Sequence, residues 1–155
     1  MTDKVIEYLS AFGLSDRVIE FAASTATVGD AAKALGCEEK QICKSMSFLV
    51  NNETILVLLA GDRKIDNSKY KHYFGEKAKM IAKEDLLNLV GHSAGGVCPF
   101  AIKSDVKVYL DESLKRFEEV YPAAGSSNSC VKLTLKELED TSRYEDYIDV
   151  SKSID

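Results

Sequence analysis

The stretch from Ile42 to Ala60 restricts the fold of this chain more than any other. From Ile42 to Val50 the residues alternate, which places Ile42, Lys44, Met46, Phe48 and Val50 on one face of a strand and Cys43, Ser45, Ser47 and Leu49 on the other. Asn51-Asn52 follows, and asparagine tolerates the positive φ of a tight hairpin turn. Thr54 to Ala60 then returns as the unbroken apolar run TILVLLA, the pattern of a strand buried on both faces. A central hairpin results, and Lys44 is its anomaly, an ammonium on the face expected to look inward. Such a lysine snorkels, meets a partner, or sits in a cavity that uses its charge; a bulge would instead turn it to the open face.

Short elements are expected around the hairpin. Val5, Ile6, Leu9 and Phe12 recur at helical spacing before Gly13, and Arg17 to Ala22 reads as a strand. Thr27 is placed to cap a helix carrying Val28, Ala31, Ala32 and Leu35, closed by Gly36. Ser68 to Phe74 and Lys83 to Val90 form helices that stop at Gly75 and Gly91. Val106, Val108 and Leu110 alternate as a strand, Asp111 caps a short helix, and Glu118 to Tyr121 extends again. Val131 and Leu133 mark another strand, and Thr134 with Glu137 has the capping-box pattern of a last helix. The tail after Thr141 suits either a final strand or a frayed end. Without a regular βαβ rhythm, the class is α+β: one domain over residues 1–155, with a mixed, largely antiparallel central sheet flanked by short helices. A chain of 155 residues buries roughly 68–70% of its unfolded surface, so no metal or disulfide staple is required.

Composition removes several function classes. No apolar run approaches the roughly 20 residues of a membrane span, and Met1-Thr2-Asp3-Lys4 leads into an amphipathic pattern, so a cytoplasmic protein with no membrane partner is expected. Cys37, Cys43, Cys98 and Cys130 contain no C-x-x-C pair, and the histidines are His72 and His92, so zinc-ligand spacing is absent and no metal is expected. These thiols read as small core hydrophobes, with a nucleophilic Cys98 as the competing reading. A net charge of -5 argues against coating nucleic acid by phosphate neutralisation. Yet Arg63 to Lys83 carries seven basic residues against two acidic ones, which fits either a solvated face or a limited phosphate-contacting patch.

Gly91 to Phe100, GHSAGGVCPF, holds three glycines and a proline in ten residues and is a loop. Its Gly95-Gly96-Val97-Cys98-Pro99 portion allows backbone N–H groups to converge on an oxyanion, although glycine pairs also serve in plain turns. Gly125-Ser126-Ser127 is a second small-residue loop with the same two readings. Neither holds a phosphate-loop ending or a dinucleotide fingerprint, so nucleotide hydrolysis and hydride transfer lack support.

Lys44 within QICKSMSFLV, then GDRKID, GHSAGGVCPF and YPAAGSSNSCVKLT, together resemble the YbaK/ProX family of aminoacyl-tRNA editing domains associated with prolyl-tRNA synthetase. The likeness runs from Ser24-Thr25 through Leu138, and its most diagnostic parts are Lys44 and the G-x-x-x-P loop from Gly95 to Pro99. It implies a trans-editing deacylase that needs no cofactor and cleaves the ester of tRNA, of the proline type, mischarged with a small amino acid. Lys44 would hold the terminal nucleotide or the aminoacyl group, and Gly95, Gly96, Val97 and Pro99 would align the carbonyl. Met46, Phe48 and Phe100 would shape the pocket, with Gly125 and Ser126 at its wall. The nucleophile would be water, alone or oriented by the ribose 2′-hydroxyl, which would favour RNA over DNA, or, as in relatives that edit cysteine, the substrate's own thiol. Alanine, serine, threonine, 2-aminobutyrate and cysteine stay open as the acyl group, although GGVCPF looks less like the cysteine-editing subgroup. His92 departs from the aromatic often found after the loop's first glycine. A prolyl-tRNA synthetase or an elongation factor is the implied protein partner. The alternative is a non-catalytic module that docks a tRNA acceptor end or a synthetase and loses binding when Lys69 and Lys71 are neutralised.

Overall fold

A computed structural model describes residues 2–155. The hairpin stands at its centre: β2 (Ile42–Val50) and β3 (Glu53–Ala60) pair antiparallel, with Asn51 at φ 50° and Asn52 at φ 67° in the turn. β3 is covered on both sides. Leu56, Leu58 and Ala60 face one apolar cluster with Val5, Leu9, Leu110 and Leu138, whereas Ile55, Val57 and Leu59 face a second with Phe48, Tyr70 and Val150. Burying two faces of one strand demands elements above and below the sheet, which the flanking helices provide.

β5 (Lys107–Asp111) lies parallel beside β3 and carries β9 (Asp146–Ile148) on its other edge. β6 (Glu119–Pro122) runs parallel to the start of β2 and pairs antiparallel with β8 (Leu133–Thr134), giving the order β8-β6-β2-β3-β5-β9. The sheet is mixed, and the α+β class holds. Within it the antiparallel character is confined to the hairpin and the β6–β8 pair, because the long excursions before β5 and β9 return the chain parallel.

α1 (Thr2–Ser10) sends Val5 and Leu9 into the first cluster. α2 (Val28–Leu35) starts at Thr27, whose hydroxyl accepts from the Asp30 N–H, and ends at left-handed Gly36. α3 (Asn67–Phe74) is capped by Asp66 and closed by Gly75. The segment expected as one helix from Lys83 opens as a 3-10 turn, Lys83–Asp85, before α4 (Leu86–Leu89). α5 (Leu135–Ser142) has the full capping box of Thr134 and Glu137. The strand expected from Arg17 to Ala22 is reduced to β1 (Val18–Glu20), which pairs with β7 (Ser129–Val131). Val131 and Leu133 therefore belong to different sheets: Lys132 between them donates its N–H to the Arg17 carbonyl, and the chain changes partners there. The tail is ordered, because β10 (Ser151–Ser153) pairs with β4 (Arg63–Ile65).

Asp111 locks that tail. Its carboxylate is 1% exposed and accepts from the Val150 N–H (3.0 Å), the Ser113 N–H (3.0 Å) and the Ser151 hydroxyl (2.6 Å). Asp111→Ala strands three buried donors at once, so a loss of about 3 kcal/mol of unfolding free energy is expected in urea denaturation.

Candidate active site

Six consecutive residues, Ile42 to Ser47, line one cavity of about 580 Å³. Strand side chains alternate, so consecutive residues share a cavity only where it runs along the strand's edge. β2 has such an edge. β6 pairs with it at Ile42 and Cys43, and the chain from Lys79 to Ile81 joins it further on. There the Ile81 N–H donates to the Ser47 carbonyl (3.1 Å) and the Leu49 N–H donates to the Lys79 carbonyl (2.9 Å). The cavity opens between these two pairings.

Lys44 lies at this edge, half-buried, with no ion-pair partner among the described residues. Burial holds its ammonium below the usual lysine range, and the carboxylate of Asp62 opposes that shift. Asp62 is itself engaged: Arg116 grips it through two nitrogens, at 2.6 and 3.0 Å, which holds its carboxyl below the usual carboxylate range. Lys83 contributes a second, exposed ammonium to the lining, and no carboxylate lines the cavity among the described residues. An anionic or carbonyl-bearing ligand therefore meets positive potential without a competing acid.

The far wall consists of three interlocked loops. The Thr25 N–H donates to the Ser127 carbonyl (2.6 Å), and Asn128 exchanges bonds with the backbone of Phe21. Gly95, at φ +88°, is wedged so that an added Cβ would lie 3.2 Å from the Ser127 Cβ and 3.3 Å from the Ala26 Cβ. Gly96 packs its backbone on Gly125, whose N–H donates to the Gly96 carbonyl (3.1 Å). Ala26, Ala31, Ala94 and Ala123 line the space so enclosed, and their short side chains leave it open.

The residues expected at the site divide into two groups. Lys44, Met46, Gly95 and Val97 line the cavity. Gly96 does not: its N–H is spent on the Ser93 carbonyl (3.1 Å), so it is a packing glycine and not an open donor. Phe48 lies two residues beyond Met46, opposite Met80 within the Lys79–Ile81 crossing, and packs on Tyr70 with ring centroids 5.0 Å apart. Phe100 is fully buried in the first cluster near Tyr8, and Pro99 is buried outside the lining. Gly125 supports Gly96 from behind, while the Ser126 hydroxyl is tied to Ser129 (2.6 Å) and Asn128 (2.9 Å). The sequence reading missed Thr25 to Val28, Ser45, Ser47 and Met80 to Lys83. One signal was there: two serine hydroxyls interrupt a face of β2 that is otherwise apolar.

The basic run from Arg63 to Lys83 disperses. Lys69 bonds Asp149 and the Ser151 carbonyl, both at 3.0 Å, and Arg63 bonds Ser151, so both cations fasten the tail. Cys98 and His92 are both fully buried. Burial pushes the Cys98 thiol up to about 12 and holds the His92 imidazolium below the usual histidine range. The His92 Nε2 contacts the Phe100 carbonyl at 2.6 Å. A protonated, enclosed thiol is a poor nucleophile. Iodoacetamide at neutral pH is expected to leave Cys98 of the folded protein unmodified in peptide mass mapping, and Cys98→Ser is expected to retain turnover.

Residues 22–141 match the model of the aminoacyl-tRNA editing domain family. The chain is 48% identical over 136 residues, 87% of each protein, to the uncharacterized protein YwhH of Bacillus subtilis strain 168. It is 35% identical over 95 residues to the proline--tRNA ligase of Limosilactobacillus fermentum, a match taking in 57% of this chain and 17% of the ligase. A crystal structure of a candidate trans-editing enzyme for prolyl tRNA synthetase superposes with a TM-score of 0.88 at 30% identity, covering 98% of this chain and 97% of that one. The hypothetical protein APE2540 superposes with a TM-score of 0.85 at 28% identity, covering 96% and 99%. With its lysine-bearing strand edge, its glycine-packed wall and a family match over most of its length, the chain belongs to the aminoacyl-tRNA editing domain family.

Proposed function

We propose that the chain is a trans-acting deacylase that hydrolyses tRNA, of the proline type, mischarged with a small amino acid. The observation that carries this reading is the half-buried Lys44 ammonium, without an ion-pair partner among the described residues, at the edge of a cavity whose lining holds no carboxylate among them. The ester joins an amino acid to the terminal ribose of tRNA. Water adds to the acyl carbon, negative charge collects on the carbonyl oxygen, the bond to the ribose oxygen breaks, and that oxygen takes up the proton. Free amino acid and uncharged tRNA leave. A positive group fixed beside the forming oxyanion stabilises it most where water is partly excluded. Neither histidine nor carboxylate lines the cavity among the described residues, which supports the ribose 2′-hydroxyl next to the ester as the group that orients the water.

The space lined by Ala26, Ala31, Ala94, Ala123 and Gly95 is the one that receives the acyl side chain. A synthetase pocket rejects a smaller side chain by only about 1–3 kcal/mol per methylene, so a second, size-limited site adds accuracy that one pocket lacks. The resemblance to proline--tRNA ligases supports a role beside a prolyl-tRNA synthetase in the cytoplasm. Proline tRNA charged with alanine, serine, threonine, 2-aminobutyrate or cysteine is the direct test. Release of at least one of these above the spontaneous rate is expected, with prolyl ester spared. Tight binding of all of them without release would make the chain a docking module instead.

A further inference from the structure

Ser45 stands in the gap of the β2 edge. The Asn51-Asn52 turn closes on the Val50–Glu53 pair, so the even-numbered residues of β2 bond toward β3. Cys43, Ser45, Ser47 and Leu49 then direct both backbone groups to the opposite edge. The Ser47 carbonyl and Leu49 N–H are taken by the Lys79–Ile81 segment, and Cys43 lies against β6. Ser45 has no backbone partner on that edge among the described residues. Its hydroxyl is also buried without a hydrogen-bond partner, and the residue lines the cavity. Buried polar groups are nearly always paired, so the unpaired Ser45 hydroxyl, beside a stretch of strand edge that no neighbouring segment takes up, points to a ligand.

We propose that Ser45 binds the aminoacyl group as a strand one residue long: its carbonyl accepts from the substrate's α-ammonium, and its N–H donates to the ester carbonyl oxygen. This rests on the deacylase reading and deepens it. In a hydrogen-bonded antiparallel pair, two facing residues exchange both N–H to carbonyl bonds. An aminoacyl ester carries one residue's set of these groups, the α-nitrogen and the carbonyl, and the gap is one residue wide. When water adds to the acyl carbon, charge develops on the oxygen that the Ser45 N–H already holds, so this bond strengthens in the transition state. Lys44, on the opposite face of the strand, adds its positive field at the same edge. The arrangement selects a free α-ammonium, because an acylated amine or a hydroxyl in its place offers the Ser45 carbonyl only an uncharged donor.

The test uses the full-length wild-type chain and proline tRNA charged with alanine, with N-acetylalanine and with lactate, whose hydroxyl replaces the α-amine. Should another amino acid be cleaved faster, that residue and its α-hydroxy counterpart replace alanine and lactate. Each rate is divided by the spontaneous hydrolysis of the same ester. The enhancement is expected to fall about 10- to 100-fold for the lactyl and N-acetylalanyl esters, the range of one charge-assisted hydrogen bond. Ser45→Pro removes the N–H at a position where the sheet does not use it, which edge strands accommodate, and kcat is expected to fall by a similar factor. If that variant does not fold by circular dichroism, the lactyl comparison decides alone. Equal enhancement for alanyl and lactyl esters overturns the Ser45 assignment and leaves the deacylase reading standing. Failure of the wild-type chain to cleave any ester overturns both.

Discussion

Lys44→Ala is expected to lower kcat/KM for mischarged tRNA by at least about 100-fold, the scale of removing one group that stabilises an oxyanion. The variant is expected to melt no lower than the wild-type chain. Both halves follow from one geometry. The ammonium sits half-buried without an ion-pair partner among the described residues, so the folded state gains little from it and gives up hydration to hold it. Lys44→Arg is expected to restore little, because a planar guanidinium does not occupy the space of a compact ammonium.

The pH dependence of stability has a definite sign. The pKa of Lys44 in the folded protein lies below the ordinary lysine value of 10.5, so between the two values the unfolded chain binds more protons. The stability contributed by this group is therefore present above pH 10.5 and is lost as pH falls through the folded value. Wild-type unfolding free energy, relative to Lys44→Ala, should rise as pH climbs toward 10.5. A flat difference would mean that the ammonium is fully solvated.

Gly96→Ala is expected to cost about 2–4 kcal/mol in urea unfolding. A Cβ at residue 96 would lie 2.5 Å from the Gly125 carbonyl carbon, 2.6 Å from the Ser126 nitrogen and 2.8 Å from the Gly125 oxygen. All three are backbone atoms, so no rotamer change relieves the clash. Separating the two loops would also open the wall that Gly95 helps to close, and turnover should fall with stability. Gly95→Ala is milder: its nearest contacts, at 3.2 and 3.3 Å, are side-chain carbons that can shift, and the left-handed backbone adds about 1–2 kcal/mol. A Gly96→Ala variant as stable as wild type would show that the two loops are not packed backbone to backbone.

Lys44 was legible as an unusual strand residue because local alternation alone sets an ammonium on an apolar face, and the structure places it in the lining of the cavity. Thr27 and Gly36, and Thr134 with Glu137, were legible because capping joins residues three or four apart and needs no tertiary partner. Phe48 and Phe100 misled as pocket residues. Their hydrophobicity marks burial, but which cluster buries them depends on where the Lys79–Ile81 segment crosses β2 and where the 91–105 loop turns inward. Gly96 misled in the same way: a glycine that frees its N–H and one that admits a neighbouring backbone look identical in sequence.

The sequence by itself determined the hairpin, its doubly buried strand, the helix caps and the misplaced charge of Lys44, since each is fixed by spacing within a few residues. Only the tertiary structure decided that β2 keeps a free edge at Ser45, that Gly96 meets Gly125, and that Thr25, Ser45, Met80 and Gly95 surround one cavity. Those contacts join segments tens of residues apart. They depend on which strand pairs with which, and no local pattern encodes that choice.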